Sequence, residues 1–228
     1  MGRLALVDSE DLLERMGSPL DVGAYEWDRV HADALTSDEV FQLTYAAQVE
    51  WGTQGTFESL YISDDPVVRR FLQIWLRQEE VHAELLVRFL HEYGVTVTLL
   101  HASRKHRRGA RRGRRLNQVA HRMVGHDFFA VHMAWGAVNE LTTLRFYQQI
   151  RARARHVFLR ELLRDLIGQE AHHYSFYRAA ATERLAGNRR AQRVTRFALE
   201  HLWSPVGVGL RAPGDAQRVN AHRKRQHL

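Results

Sequence analysis

The sequence predicts an all-α fold, a four-helix bundle with one long crossover and short additional helices. Three observations carry this. Four long segments show helical periodicity with few breakers, and nothing alternates as a sheet strand would. Connections inside each helix pair are short, which makes antiparallel neighbours. The connection between the pairs is about twenty residues, enough to cross the length of a bundle.

Residues 1–36 read as an N-terminal strap, 37–187 as the bundle, 188–210 as an additional helix and 211–228 as a basic tail. The first long helix is expected from Ser37 to Ile62. Thr36 precedes it, and the Asp38-Glu39 pair suits the positive end of a helix dipole. Asp64-Asp65-Pro66 ends that helix and starts the second, with proline in the first turn. The second runs to Tyr93 and stops at Gly94. Val95 to Leu99 is rich in β-branched residues and reads as extended. The third helix spans about Leu116 to Ile150, and a polar RARARH run separates it from the fourth, Val157 to Leu185. Gly187-Asn188 closes the fourth helix, and a shorter fifth (Arg190 to Trp203) ends before Pro205.

The 228 residues include no cysteine, which excludes a disulfide scaffold, a thiolate zinc or iron–sulfur site and a thiol nucleophile. No apolar run approaches the roughly 20 residues that span a bilayer. Asp8, Glu10, Asp11 and Glu14 interrupt the first twenty residues, so they do not read as a secretory signal. A soluble, cytoplasmic protein is the expectation. The net charge of +7 comes almost wholly from arginine, since Lys105 and Lys224 are the only lysines. It is concentrated in the SRKHRRGARRGRR stretch (Ser103 to Arg115) and in the tail. Such a stretch suits an acidic partner, or is simply solvated.

Two Glu-x-x-His steps occur, Glu79 to His82 and Glu170 to His173. A spacing of three places both side chains on one helix face, one turn apart. Each step has a glutamate about thirty residues upstream, Glu50 before Glu79 and Glu140 before Glu170. Glu50 and Glu79 lie equally far from the Asp64-Asp65 turn, and Glu140 and Glu170 equally far from Arg155. Each pair therefore meets at one height across its hairpin. Two such half-repeats, folded together, converge four carboxylates and two imidazoles, the ligand set of di-iron and di-manganese bundles. Two divalent cations would cancel four buried negative charges. Oxygen and imidazole ligands suit iron, with manganese as the alternative. Glu58 and Glu84 read as surface residues, Glu80 lies off the ligand face, and His172 points elsewhere. Phe57, Phe146, Tyr147 and Phe176 could line a channel, but at helical spacing they read first as core.

At these residues the sequence resembles the soluble acyl-[acyl-carrier-protein] desaturases of the ferritin-like di-iron superfamily. The resemblance runs from about Trp27 to Leu185 and rests on Glu50, QEEVH (78–82), NELTT (139–143) and QEAHH (169–173). It implies that Glu50, Glu79, His82, Glu140, Glu170 and His173 bind two iron ions, with Glu79 and Glu170 bridging. It implies a catalytic role for Thr143 beside the oxygen site and an electron path past Trp27. It also implies a homodimer, a ferredoxin-type electron donor and an acyl carrier protein, or another acyl or small-molecule carrier, as partners. The implied activity is desaturation of an acyl chain with O₂ and external electrons. Gln169 departs from the pattern, since the family commonly has an acidic residue there. The alternatives are a related di-iron monooxygenase or oxidase and, from another class, an iron-storing or DNA-protecting ferritin-like protein. Nucleic acid is not the expected partner, and neither is a membrane.

Overall fold

The computed structural model describes residues 8–60, 65–97, 124–125 and 127–203. The arginine-rich stretch at 103–115 and the basic tail at 211–228 lie outside them. Among the described residues every regular element is helical: α1 (Ser9–Glu14), α2 (Ser37–Trp51), α3 (Thr53–Leu60), α4 (Pro66–Glu92), α5 (Asp127–Arg153), α6 (Val157–Leu185) and α7 (Arg189–His201). Two 3-10 turns, Val22–Ala24 and Trp27–His31, lie between α1 and α2. The chain is an all-α, ferritin-like bundle without a sheet among these residues.

Local chemistry sets the helix starts. Thr36 and Glu39 form a reciprocal cap at α2: the Thr36 hydroxyl accepts from the Glu39 N–H, and the Glu39 carboxylate accepts from the Thr36 N–H. Asp65 accepts from the N–H groups of Val67 and Val68, just before the proline that opens α4. His156 caps α6 by accepting from Leu159 N–H, and Asn188 caps α7 by accepting from Ala191 N–H.

One expected helix is two. The segment from Ser37 is broken at Gly52, where the Gly52 N–H turns back to the Val49 carbonyl at 2.9 Å. Thr53 donates its hydroxyl to the Glu50 carbonyl at 2.6 Å. Both bonds tighten the last turn of α2, so α3 starts afresh and Glu50 stands one residue from the end of α2. The last helix also stops before Trp203, at His201, where the Trp203 N–H folds back on the Ala198 carbonyl. Residues 95–97 have no regular structure, and the expected start of the third helix at Leu116 lies outside the described residues.

Contacts at the helix ends fix the bundle's directions. Leu35, before α2, donates to the Tyr93 hydroxyl after α4. Asp65 at the start of α4 pairs with Arg184 at the end of α6, and Asp127 at the start of α5 accepts from Asn188 after α6. Each of these pairs is therefore antiparallel. The apolar interior forms two clusters. One contains Leu43, Leu86, Phe89, Phe146, Ile150 and Leu162; the other contains Phe71, Leu72, Trp75, Met133, Phe176 and Tyr177. On α4 the polar Gln78, Glu79 and His82, and on α6 the stretch Gln169 to His173, lie where the two clusters meet. A polar layer thus divides the core at mid-height.

No described helix is long and apolar enough to cross a membrane.

Candidate metal centre

Four helices bring the layer together. Glu50 comes from α2, Glu79 and His82 from α4, Glu140 from α5, and Glu170 and His173 from α6. All six are buried; the most exposed, Glu140, has 6% of its surface open to solvent. Their ligand atoms form two groups, Glu50–Glu79–His82–Glu170 and Glu79–Glu140–Glu170–His173, with the atoms of each group within 4.8 Å of one another. Glu79 and Glu170 belong to both. The arrangement is thus two adjoining groups of four donor residues with two shared carboxylates.

Several of these atoms have no hydrogen bond. They are Glu79 Oε1, both oxygens of Glu170, and the Nδ1 atoms of His82 and His173. His82 Nδ1 lies 3.1 Å from Glu170 Oε1, and His173 Nδ1 lies 3.0 Å from Glu79 Oε1, close but not aligned as hydrogen bonds. Buried polar atoms are almost always paired, and orphaning one costs about 1–3 kcal/mol. Orphaned atoms from both groups that converge on one layer fit a pair of cations. The donor set agrees, since carboxylates and imidazoles without thiolate suit iron or manganese.

Surrounding groups orient the ligands. Trp75 donates its indole N–H to Glu140 Oε1 at 3.0 Å, and Tyr147 donates its hydroxyl to Glu50 Oε1. His82 Nε2 faces Gln169 Oε1 at 2.9 Å, and His173 Nε2 faces Gln78 Oε1 at 2.7 Å. Each imidazole is therefore held by a glutamine of the opposite half-repeat. Sequence reasoning took Tyr147 only as core or channel and gave Trp75 and Gln78 no role of their own. The signal for the glutamines was present, because each Glu-x-x-His step is preceded by Gln.

Electrostatics without metal are unfavourable. Burial, reinforced by neighbouring carboxylates, pushes Glu79 and Glu140 well above the ordinary carboxylate range. Burial also raises Glu50. Burial would raise Glu170 too, but the adjacent imidazoles of His173 and His82 outweigh it and hold this carboxyl below the usual range. Burial acts against the charged form of His82, yet Glu170 beside it leaves this ring above the ordinary histidine value. Burial wins at His173, which is lowered.

The remaining sequence candidates lie away from the layer or at its edge. Glu58, Glu84 and His172 are exposed, and Glu80 pairs with Arg77 at 3.2 Å. Thr143 is half-buried on α5, one turn beyond Glu140. Trp27 packs against Phe158 and Tyr25 in the core, donates its indole N–H to the Val22 carbonyl, and carries the Arg88 guanidinium 4.5 Å over its ring.

Comparison with known proteins gives one family. The rubrerythrin family model matches residues 42–181, a stretch that carries all six converging residues. No curated protein and no solved structure matches the chain. The family match overturns the likeness to acyl-[acyl-carrier-protein] desaturases, and acyl-chain desaturation, fatty-acid and lipid metabolism and an acyl carrier protein partner fall with it. The reason for the misreading is physical. The Glu and Glu-x-x-His elements that carried the likeness are dictated by holding two metal ions, and they say nothing about the organic substrate. With more than half its length matched and its carboxylate–imidazole layer in place, this chain belongs to the rubrerythrin family of ferritin-like di-iron proteins.

Proposed function

We propose that the chain is a di-iron oxidoreductase that passes electrons from an external donor to a small oxidant such as O₂. Glu79 and Glu170, common to both groups, would be shared between the two ions, with Glu50 and His82 available to hold one and Glu140 and His173 the other. The observation that carries this reading is the sharing of Glu79 and Glu170 between two four-ligand groups. Two irons supply one reversible electron change each, a two-electron capacity in all.

The protein's own residues perform the remaining tasks. Trp75 and Tyr147 restrict Glu140 and Glu50 to one orientation, while their other oxygens stay available to a metal. The apolar clusters on either side keep bulk water from the layer, which strengthens every charge interaction within it. Such enclosure favours a small oxidant over a bulky substrate. The 228 residues contain no cysteine, so they cannot build a thiolate iron centre, and the donor lies outside them.

The test is metal analysis combined with an anaerobic redox titration. Reconstituted protein should hold two irons per chain and take up two electrons, which O₂ then removes. Glu79→Ala and Glu170→Ala should lose most of both ions, whereas Glu50→Ala and Glu140→Ala should each weaken one. Glu58→Gln should change nothing. A wild type that retains one iron or none would sink the reading.

A further inference from the structure

The strap between α1 and α2 passes directly over the glutamines that hold the two histidines. Gln78 donates its amide NH₂ to the Met16 carbonyl at 3.0 Å and to the Gly17 carbonyl at 3.4 Å. Gln169 donates its NH₂ to the Ser18 carbonyl at 2.8 Å. Three consecutive backbone carbonyls thus engage both glutamines, one from each half-repeat. The strap is itself seated firmly. Leu13 and Met16 are buried in the cluster with Phe71 and Trp75, and Ser9 bonds Glu183 on α6 through both its N–H and its hydroxyl at 2.8 Å.

The geometry points to Met16–Ser18 as a positioning element that fixes both metal-binding imidazoles in one tautomer, an inference that rests on the di-metal reading above. A backbone carbonyl can only accept, so the glutamine group facing it is the NH₂. The opposite end of each amide, its oxygen, therefore faces the imidazole. An oxygen also only accepts, so Nε2 of each ring carries the hydrogen. In the neutral ring, the form that binds a metal, Nδ1 is then left with its lone pair toward the carboxylates. Were the amide free to turn, its NH₂ could meet Nε2 and leave the hydrogen on Nδ1, blocking the site. Main-chain carbonyls forbid that rotation whatever the side chains of residues 16–18. Gly17 makes the turn possible: its φ of +67° is one that a β-branched residue rarely adopts, and a β-carbon there would meet no atom within 4 Å. Gly17 is also exposed, so a loss on substituting it reports backbone conformation.

The test uses the full chain loaded with Co²⁺, read by metal affinity and by the paramagnetically shifted proton signals of the ligand imidazoles. Wild type should show two exchangeable imidazole N–H signals that exchange slowly with solvent. Gln78→Leu should remove or broaden the His173 signal alone, and Gln169→Leu that of His82 alone. Each should weaken Co²⁺ binding ten- to a hundredfold, the usual range for groups that orient metal ligands. Gly17→Val should disturb both signals, while Gly17→Asn, which tolerates the left-handed conformation, should match wild type. Persistence of both signals with affinity within twofold of wild type in the two glutamine variants would overturn the proposal. So would a Gly17→Val protein indistinguishable from wild type. A wild type that takes up fewer than two Co²⁺ ions would instead overturn the di-metal reading, a distinguishable failure.

Discussion

Tyr147 on α5 donates its phenolic hydrogen bond across the bundle to Glu50 on α2, with both groups buried. The bond joins the two half-repeats at the height of the metal layer. Glu50 stands one residue from the end of α2, beside the break at Gly52, so its own helix restrains it less than a mid-helix position would.

Tyr147→Phe keeps the ring and removes the donor. A hydrogen bond to a charged partner contributes about 1.5–3 kcal/mol, and the carboxylate oxygen left behind is buried. The variant should unfold at lower temperature in the metal-loaded form and should bind one of its two ions more weakly. Calorimetry with metal titration reads both. An unchanged melting temperature together with two equal affinities would show that Glu50 needs no such restraint.

A pair of glycine substitutions should move stability in opposite directions. A β-carbon on Gly136 of α5 would lie 2.3 Å from the Tyr177 ring. Tyr177 packs edge-on against Trp75 at 6.2 Å, and Trp75 holds Glu140. Gly136→Ala should therefore cost about 1–3 kcal/mol through overpacking and should also lower metal affinity at the Glu140 site. Gly168 lies within α6, with open space where a β-carbon would point. Gly168→Ala should stabilise by about 0.5–1 kcal/mol by restricting the unfolded chain. Urea denaturation of the two variants side by side checks the contrast.

Metal-free protein should carry a specific pH signature. Glu140 is held above its ordinary value by burial and by Glu170 beside it. A carboxyl raised in the folded state contributes stability that is fully present below its unfolded value of about 4.3 and is lost as pH rises through the folded value. Glu140→Gln removes that titration. Without metal, the variant should gain stability relative to wild type as pH rises above about 4.3; with metal, the order should reverse, because a ligand is missing. Melting curves of both proteins, with and without metal, decide it. A stability difference that stays flat with pH in the metal-free pair would refute the assignment.

Much of the site was legible because a helix is a ruler. At 1.5 Å per residue, equal distances from the turn near Arg155 bring Glu140 level with Glu170, and Glu50 comes beside Glu79 even though its helix breaks at Gly52. The bounds of α6 were legible too, between the polar RARARH run and Gly187. Gly52 was not, since an isolated glycine is tolerated in many helices and only the bonds around Glu50 and Thr53 make it a break. The strap's role left no trace in residue types, because it acts through carbonyl oxygens that every residue possesses. Tyr147 and Trp75 sit in the apolar periodicity of their helices, and their polar tips find partners only once the bundle closes. The organic chemistry was beyond reach for a different reason: metal ligands constrain the ions and leave the substrate free.

Ser18 lies exposed on the strap while its carbonyl bonds Gln169 beneath it. The chain has no cysteine anywhere, so Ser18→Cys would create a unique thiol without background labelling. A fluorophore attached there would stand at the surface yet only two hydrogen bonds from a ligand imidazole, through Gln169 to His82. Its emission would then follow loading and release of the ions in real time, turning an otherwise enclosed centre into one that can be watched from outside.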